Sequence, residues 1–381
     1  MSKPCYQVLG LMRNLDALQL GQQDNILISY LPLLLIILFS LLYGQRLQLQ
    51  IWIVQLGNSI NRLKVIRDVA RRDVIEFLKP MMPQGADPTE KVDRMLEYFT
   101  IFPVDLDPYG LVRKLEHVAL TQDERLRKET AELIGRDDNV TVSQAVNVVS
   151  AAMLLNLIYK VVRHYYILGK KTSAYVYIVT LQALMPQILQ EAEALYNAMD
   201  AFKQMQPIGD GIGPMVAGRL MLGLERKRVE KDTVMCEMEF KGRKLYVLKA
   251  EGPGGNTGYI GNAVTKLVKE MKIKFSTIIM VDAALKLEGE NTGDLAEGVG
   301  AAIGGLGVDR YKIEEVATAH GIPTYAIVIK QSIMDAITVM KREIAEAAEK
   351  AINAVQRIIL EKSKEGDNVL LIGVGNTIGI I

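Results

Sequence analysis

The chain has 381 residues, 49% hydrophobic and 23% charged, with Lys+Arg 45 against Asp+Glu 44. That balance suits a packed chain of two or three structural units and excludes a disordered one, while a formal charge of +1 removes the bulk electrostatic pull toward nucleic acid. Two cysteines (Cys5, Cys236) and three histidines (His117, His164, His320) cannot assemble a Cys/His zinc cluster, so any metal site rests on carboxylates.

Between Asp24 and Arg46 lie 21 residues without a charge, including Tyr30-Leu-Pro-Leu-Leu-Leu-Ile-Ile-Leu-Phe-Ser-Leu-Leu-Tyr43. As a helix this run is long enough to cross ~30 Å of hydrocarbon, which predicts one transmembrane helix over 26–45 behind a short extracytoplasmic leader, 1–25. No basic region precedes it and no small-residue cleavage site follows, unlike a signal peptide. Residues 46–72 carry six Lys/Arg, whereas the leader carries only Lys3 and Arg13. The positive-inside rule then places the N-terminus outside and the bulk of the chain in the cytoplasm, as a single-pass cell-membrane protein in which Cys5 and Cys236 do not meet. A buried core helix is the alternative.

From 46 to 206 the pattern is helical, with apolar residues at three- and four-residue spacing. Breaks at Lys79-Pro80, Gln84-Gly-Ala-Asp-Pro88, Phe102-Pro103, Asp107-Pro-Tyr-Gly110 and Gly135-Arg-Asp-Asp138 predict about six helices. Those over 142–169 and 173–203 are unusually apolar, but Lys160, Arg163 and His164 argue against a second crossing. They pack on each other as an ordinary core or lie at the membrane face, with Tyr165, Tyr166, Tyr175 and Tyr177 at its edge.

After Gln206 glycines cluster and β-branched runs alternate with helical patterns, which makes 207–381 a separate glycine-rich α/β domain. The runs predict strands over 233–240, 244–250, 277–282, 324–329 and 368–373, and helices over 213–224, 260–271, 312–319 and 332–362. The last helix carries a Ser332/Asp335 capping pattern and an apolar face suited to packing or to self-association as a homo-oligomer. Continuous apolar runs such as Thr277-Ile-Ile-Met-Val281 suit strands buried on both faces, so the expected fold class is α/β, a mixed sheet flanked by helices, preceded by an all-α region and one transmembrane helix.

Ligands gather at the carboxyl ends of the strands of such a sheet, and glycine-rich loops there let backbone amides approach an anion. The candidate binding residues are Gly209, Gly211, Gly213, Glu251, Gly254, Gly255, Asn256, Lys286, Glu288, Gly373, Gly375 and Asn376, any of which could instead be a solvated or connecting residue. Asp210 stands just before a helix start, where it either caps free amides or does chemistry. Asp282 ends a very apolar strand, where a carboxylate is costly without a partner or a task. His320 fits the last turn of a helix before Gly321.

The motifs Gly209-Asp-Gly-Ile-Gly-Pro-Met-Val-Ala217, Lys249-Ala-Glu-Gly-Pro-Gly-Gly255, Val281-Asp-Ala-Ala-Leu-Lys-Leu-Glu-Gly-Glu290, Gly298-Val-Gly-Ala-Ala-Ile-Gly304 and Gly373-Val-Gly-Asn-Thr-Ile-Gly379 resemble those of an archaeal family of about this length known only as a domain of unknown function. The C-terminal domain also resembles the phosphorylase/hydrolase-type fold of hydrogenase-maturation and spore-germination peptidases. Those open with a Gly-x-Gly-Asn strand, matched by Gly373-Val-Gly-Asn376, and continue to an acidic helix start, matched by Asp210-Gly-Ile-Gly-Pro214. A second acidic strand follows, matched by Ile279-Met-Val-Asp-Ala-Ala-Leu285, and Gly321-Ile-Pro-Thr-Tyr-Ala-Ile-Val328 resembles a later strand of the germination proteases. Here the Gly-x-Gly-Asn strand lies last instead of first, an order that a circular permutation accounts for. The resemblance implies that the Asn376 loop faces Asp210 and Asp282, and that these two are catalytic.

Two carboxylates close together cannot both ionise cheaply, so one serves as acid while the other activates water; alternatively they hold one divalent cation, the metal being open. The expected function is a membrane-anchored cytoplasmic hydrolase, peptidase-like, acting on a peptide or a small anionic ligand and not on nucleic acid. The alternatives are a non-catalytic nucleotide or phosphometabolite-binding module and a structural membrane-associated protein.

Overall fold

The computed structural model describes residues 5–83, 85–101, 103, 108–172, 174–305 and 307–381, apart from the side chains of 5–29, 40–42, 45, 108 and 109. Before the α/β domain come α1 (Cys5–Leu78), a 3-10 turn (Lys79–Met81), α2 (Thr89–Leu96), α3 (Pro108–Ile134), α4 (Asn139–Thr172) and α5 (Tyr175–Lys203). Helix α1 ends at the residue before Lys79-Pro80, and α3 and α4 part at Gly135, whose φ of +64° terminates a helix readily. Among the described residues five helices take the place of the expected six, because the predicted anchor and its basic flank belong to one helix, α1.

The chain divides into two compact units. One comprises Met1–Asn61 and Val162–Met185. In it the Tyr166 hydroxyl donates to the Ile53 carbonyl at 3.3 Å, Gln182 donates to Gln55, and the Trp52 and Tyr175 rings lie 5.7 Å apart. The apolar side chains of Tyr30–Phe39 are exposed, which a core helix does not show. The leader and the remainder of the 26–45 run have side chains outside the described residues, as does Cys5. Among the described residues one helix, α4, is long and apolar enough to cross a membrane, and 56% of its most apolar window is buried within the protein.

The second unit comprises Arg62–Val161 and Pro186–Ile381. Its α/β part runs through a 3-10 turn (Gly209–Gly211), α6 (Ile212–Leu220), β1 (Lys227–Glu230), β2 (Thr233–Phe240), β3 (Arg243–Ala250), α7 (Ile260–Thr265) with a π-helical turn after it, β4 (Phe275–Leu285), β5 (Leu295–Val299), α8 (Val308–His320), β6 (Thr324–Gln331), α9 (Ile333–Ile337), α10 (Arg342–Lys362) and β7 (Asn368–Gly373). The strands form one mixed sheet in the order β1-β2-β3-β7-β4-β6-β5, in which neighbours from β3 through β7 and β4 to β6 pair in parallel and the remaining pairings are antiparallel.

Alternation within each strand shows why the apolar runs are continuous. On β4, Ile279 and Val281 pack with α6 and α10, whereas Ile278 and Met280 pack with α7 and α8. All four are fully buried, each worth about 1.5–3 kcal/mol relative to exposure. On α10, Ile344, Ala347, Ala351, Val355 and Ile358 recur at helical spacing and cover one sheet face.

Strands β2 and β7 have the expected bounds, and β3, β4 and β6 extend theirs by one to five residues. The expected helix over 332–362 is instead two. Ser332 caps α9 through a reciprocal capping box with Asp335, and the chain then turns extended at Thr338. There Val339 bridges Ile208, and the Met340 amide donates to the Pro207 carbonyl. Pairing with the 207–208 segment overrides the helical pattern, and the same pairing seats the turn that carries Asp210. Two short strands, β1 and β5, lack an apolar run and were not expected; both lie at sheet edges, half in solvent.

Candidate functional site

Strands β3, β4 and β7 point their carboxyl ends to one edge of the sheet, and β7, last in the chain, lies between the other two. After Gly373 the chain leaves β7 while the Val374 amide still donates to the Val281 carbonyl at 2.8 Å. Asp282 is therefore the first β4 residue past that pairing, at the crevice where the two strands separate.

Helix α6 begins directly over this split. A Cβ on Gly213 would stand 2.2 Å from the Val374 carbonyl oxygen and 2.3 Å from that of Val281, so no side chain fits. Gly375, at φ +132°, likewise leaves no room, since a Cβ there would meet the Asp210 carbonyl at 2.0 Å. These contacts lock the 3-10 turn to the end of β7.

Asp210 does not cap α6. Its Oδ2 instead accepts the Asn376 amide at 2.8 Å. Burial raises its carboxyl above the ordinary value, opposed by that amide. Asp282 is only 8% exposed, and its Oδ1 accepts the adjacent Ala283 amide at 2.7 Å. Burial first, and then the negative charge of Asp210, push Asp282 up to about 8, against the pull of the Ala283 amide. Burial of Asp282, with the charge of Asp210 beside it, thus favours its protonated form.

Both carboxylates border a cavity of about 380 Å³, closed by Val374 and Gly375 after β7, by Thr257, Gly258 and Tyr259 before α7, and by Gly304, Gly305 and Gly307 before α8. Helix α3 contributes Glu116, Ala119 and Leu120. Asp309, in the first turn of α8, also lines it and accepts the Gly261 amide at 2.8 Å; burial raises its carboxyl too.

Of the expected binding residues, Gly375 lines the cavity with Asp210 and Asp282, while Gly209, Gly211, Gly213 and Gly373 serve close backbone packing beneath it. The rest of the expected set points elsewhere. The Glu251 carboxylate pairs with Arg228. Gly254 and Gly255 offer their carbonyls to Asn147, and the Asn376 side chain ties the Gly255 carbonyl to the Ile378 amide. Asn256 is buried and fully engaged, accepting Arg127 and Ser143 and donating to the Glu251 carbonyl, so it fastens α3 and α4 to the loop after β3. Lys286 donates to the Glu290 carbonyl, and Glu288 is exposed. His320 lies in the last turn of α8, with Nδ1 3.0 Å from the Val316 carbonyl, and stands outside the cavity.

Glu116, Tyr259 and Asp309 are site residues that sequence reasoning missed. For Asp309 the available signal was Gly307-Val-Asp309, a glycine followed by an acid in the first turn of a helix. Glu116 has no local signal, since only the tertiary fold brings α3 there. Among the described residues no group of three or more His, Cys, Asp or Glu is placed to hold a metal.

Two family models match the chain, one described as the N-terminal domain of a protein of unknown function (DUF1512), over residues 30–205, and one as a C-terminal domain of unknown function (DUF1512), over residues 208–381. No curated protein matches it.

Proposed function

The chain belongs to the DUF1512 family, and we propose that its C-terminal domain is a peptidase-like hydrolase in which Asp210 is the general base and Asp282 the general acid. One observation carries this reading: two carboxylates at adjoining strand ends open into a single cavity, where burial and then the charge of Asp210 push Asp282 up to about 8. Asp210, ionised and held by the Asn376 amide, takes a proton from water as the water oxygen bonds to the scissile carbonyl carbon. Asp282 gives its proton to the carbonyl oxygen. On collapse the C–N bond breaks, the amine leaves with the proton from Asp210, and Asp282 recovers its own from the hydroxyl that becomes the new carbonyl.

The geometry after β7, where the Asn376 amide meets Asp210 beside Asp282, is what a circularly permuted relative of the germination peptidases requires, and it supports that reading of the C-terminal domain. An anchor over 26–45 is supported by the exposed apolar stretch Tyr30–Phe39 and by the Lys/Arg excess that follows it, with the catalytic domain on the cytoplasmic side. The anion-binding alternative draws on the glycine loop at the start of α8, but among the described residues no Lys, Arg or His lines the cavity to balance an anion.

The test is hydrolysis of a mixed peptide pool by the full chain in detergent, followed by mass spectrometry. Wild type is expected to cleave, with Asp210→Asn and Asp282→Asn each at least about 100-fold slower. Undiminished cleavage by either variant removes the pair.

A further inference from the structure

We infer that the turn joining α4 to α5, with the stretch of α1 it packs on, is a surface that recognises the anionic headgroups of a lipid bilayer; the inference is independent of the chemistry at Asp210 and Asp282 and goes beyond the anchor over 26–45. The chain as a whole holds nearly as many acids as bases, yet residues 25–61 and 162–185 of the first compact unit contain no Asp or Glu. Their charged residues are Arg46, Arg163, Lys170 and Lys171, all exposed. Such a one-sided field is drawn to an anionic leaflet, and in physiological salt it acts only close to that surface.

Aromatic rings gather beside these bases. Trp52, the only Trp in the sequence, stands 5.7 Å from the Tyr175 ring, Tyr165 and Tyr177 are 5.9 Å apart, and the Lys170 amine lies 5.9 Å from the centre of the Tyr166 ring. The Tyr166 hydroxyl donates to the Ile53 carbonyl, which ties the end of α4 to the same turn of α1 as Trp52. Trp and Tyr collect where an apolar layer meets a wet polar one, and a Lys beside them keeps its stem on the rings while its amine reaches phosphate. The height along α1 agrees. Trp52 lies about 9 Å of helix beyond Arg46 and about 20 Å beyond Phe39, where the exposed apolar run Tyr30–Phe39 ends. With that run in hydrocarbon, the level of Trp52 falls in the headgroup layer. Between the two, Tyr43, Leu47, Ile51 and Val54 recur at helical spacing and are exposed, extending the apolar run to the aromatic cluster. A second protein could cover that stripe, but it gives no reason for the missing acids or for Trp and Tyr at this height.

The experiment places the full chain in nanodiscs of phosphatidylcholine with about 30% phosphatidylglycerol and reads the fluorescence of Trp52. Bromine, a contact quencher, is carried by one lipid class at a time, either near the headgroup end or near the tail end of the acyl chains. From quenching at matched mole fraction, the affinity for phosphatidylglycerol is expected to exceed that for phosphatidylcholine at least about fivefold, the weight of one Lys at an anionic surface. Shallow bromine is expected to quench more than deep bromine. Lys170→Gln with Lys171→Gln, both on exposed side chains, is expected to bring the lipid ratio toward one, and Lys364→Gln, exposed in the α/β domain, to leave it unchanged. Equal quenching by the two lipids, a preference untouched by the double variant, or strongest quenching by deep bromine overturns the surface. So does the absence of quenching by either lipid, the result expected if a second copy of the chain covers Trp52. Retention in the disc after a high-salt wash is read separately: a retained chain without the lipid preference leaves the anchor standing, whereas a preference shown by a chain that salt releases upholds the surface and counts against the anchor.

Discussion

Replacing Asp282 by Asn separates the burial of this carboxyl from every other titration in the domain. The shift from 3.8 to about 8 means that the folded chain binds a proton there more tightly than the unfolded chain does. Stability from this group is therefore fully present below about pH 4 and is lost as pH rises toward 8, at roughly 1.4 kcal/mol per unit. At pH 7, about three units above the unfolded value, the loss reaches on the order of 4 kcal/mol. Asparagine retains an acceptor for the Ala283 amide and cannot ionise, so Asp282→Asn is expected to match wild type near pH 4 and to exceed it by up to about 4 kcal/mol at pH 7. Asp210 and Asp309 titrate in both proteins, so the difference between the two isolates Asp282. Cys236, buried on β2, reports opening of the sheet: its labelling rate, divided by that of the urea-unfolded chain at the same pH, gives the free energy of exposure. Parallel curves for variant and wild type from pH 4 to 8 would refute the reasoning, since Asp282 would then be neither desolvated nor coupled to Asp210.

Three further expectations follow from the same geometry. With any cleaved peptide, kcat/KM falls about tenfold per unit above roughly pH 8, as Asp282 loses its proton, and also falls on the acid side at a pH above the ordinary aspartate range, where Asp210 gains one; a profile flat to pH 10 contradicts the assignment. Gly213→Ala forces a methyl against the Val374 and Val281 carbonyls and should cost about 3 kcal/mol by urea denaturation while abolishing activity, and a neutral effect would mean that α6 does not seat on the strand ends. Lys249 is fully buried, and among the described residues its Nζ donates only to the Ala250 carbonyl. Burial and the charge of Arg226 push it down to about 8, so it costs stability below that pH and less as pH rises toward 10.5. Lys249→Met should therefore gain about 2 kcal/mol at pH 7, measured by denaturation, with the gain shrinking toward pH 10; a loss of stability would indicate that the amine is doing something the fold requires.

The strands that line the site could be read from residues alone because they are buried on both faces. Thr277-Ile-Ile-Met-Val281 and Val369-Leu-Leu-Ile372 admit little but a central parallel strand, and Asp282 stands out against that background. Edge strands β1 and β5 carry no such run and were invisible. The break between α9 and α10 escaped because helical periodicity continues across Thr338–Lys341, and only pairing with Ile208 shows that these residues are extended. Glycine gave an ambiguous signal. At Gly213 and Gly373 it marks two backbones in contact, whereas at Gly304 a Cβ would meet nothing and the residue borders the cavity, a distinction that spacing cannot make. Asn256 sits in a glycine-rich loop like a ligand residue, yet its partners Arg127 and Ser143 lie more than a hundred positions away, so its structural role was not legible.

The central claim, hydrolysis by the Asp210 and Asp282 pair, is tested most directly by incubating the full chain with a peptide pool in ¹⁸O-labelled water under single-turnover conditions. The account predicts one ¹⁸O in the new carboxyl terminus of the cleaved peptides with wild type and none above background with Asp210→Asn. Label incorporated equally by that variant, or no label in any peptide, would contradict it.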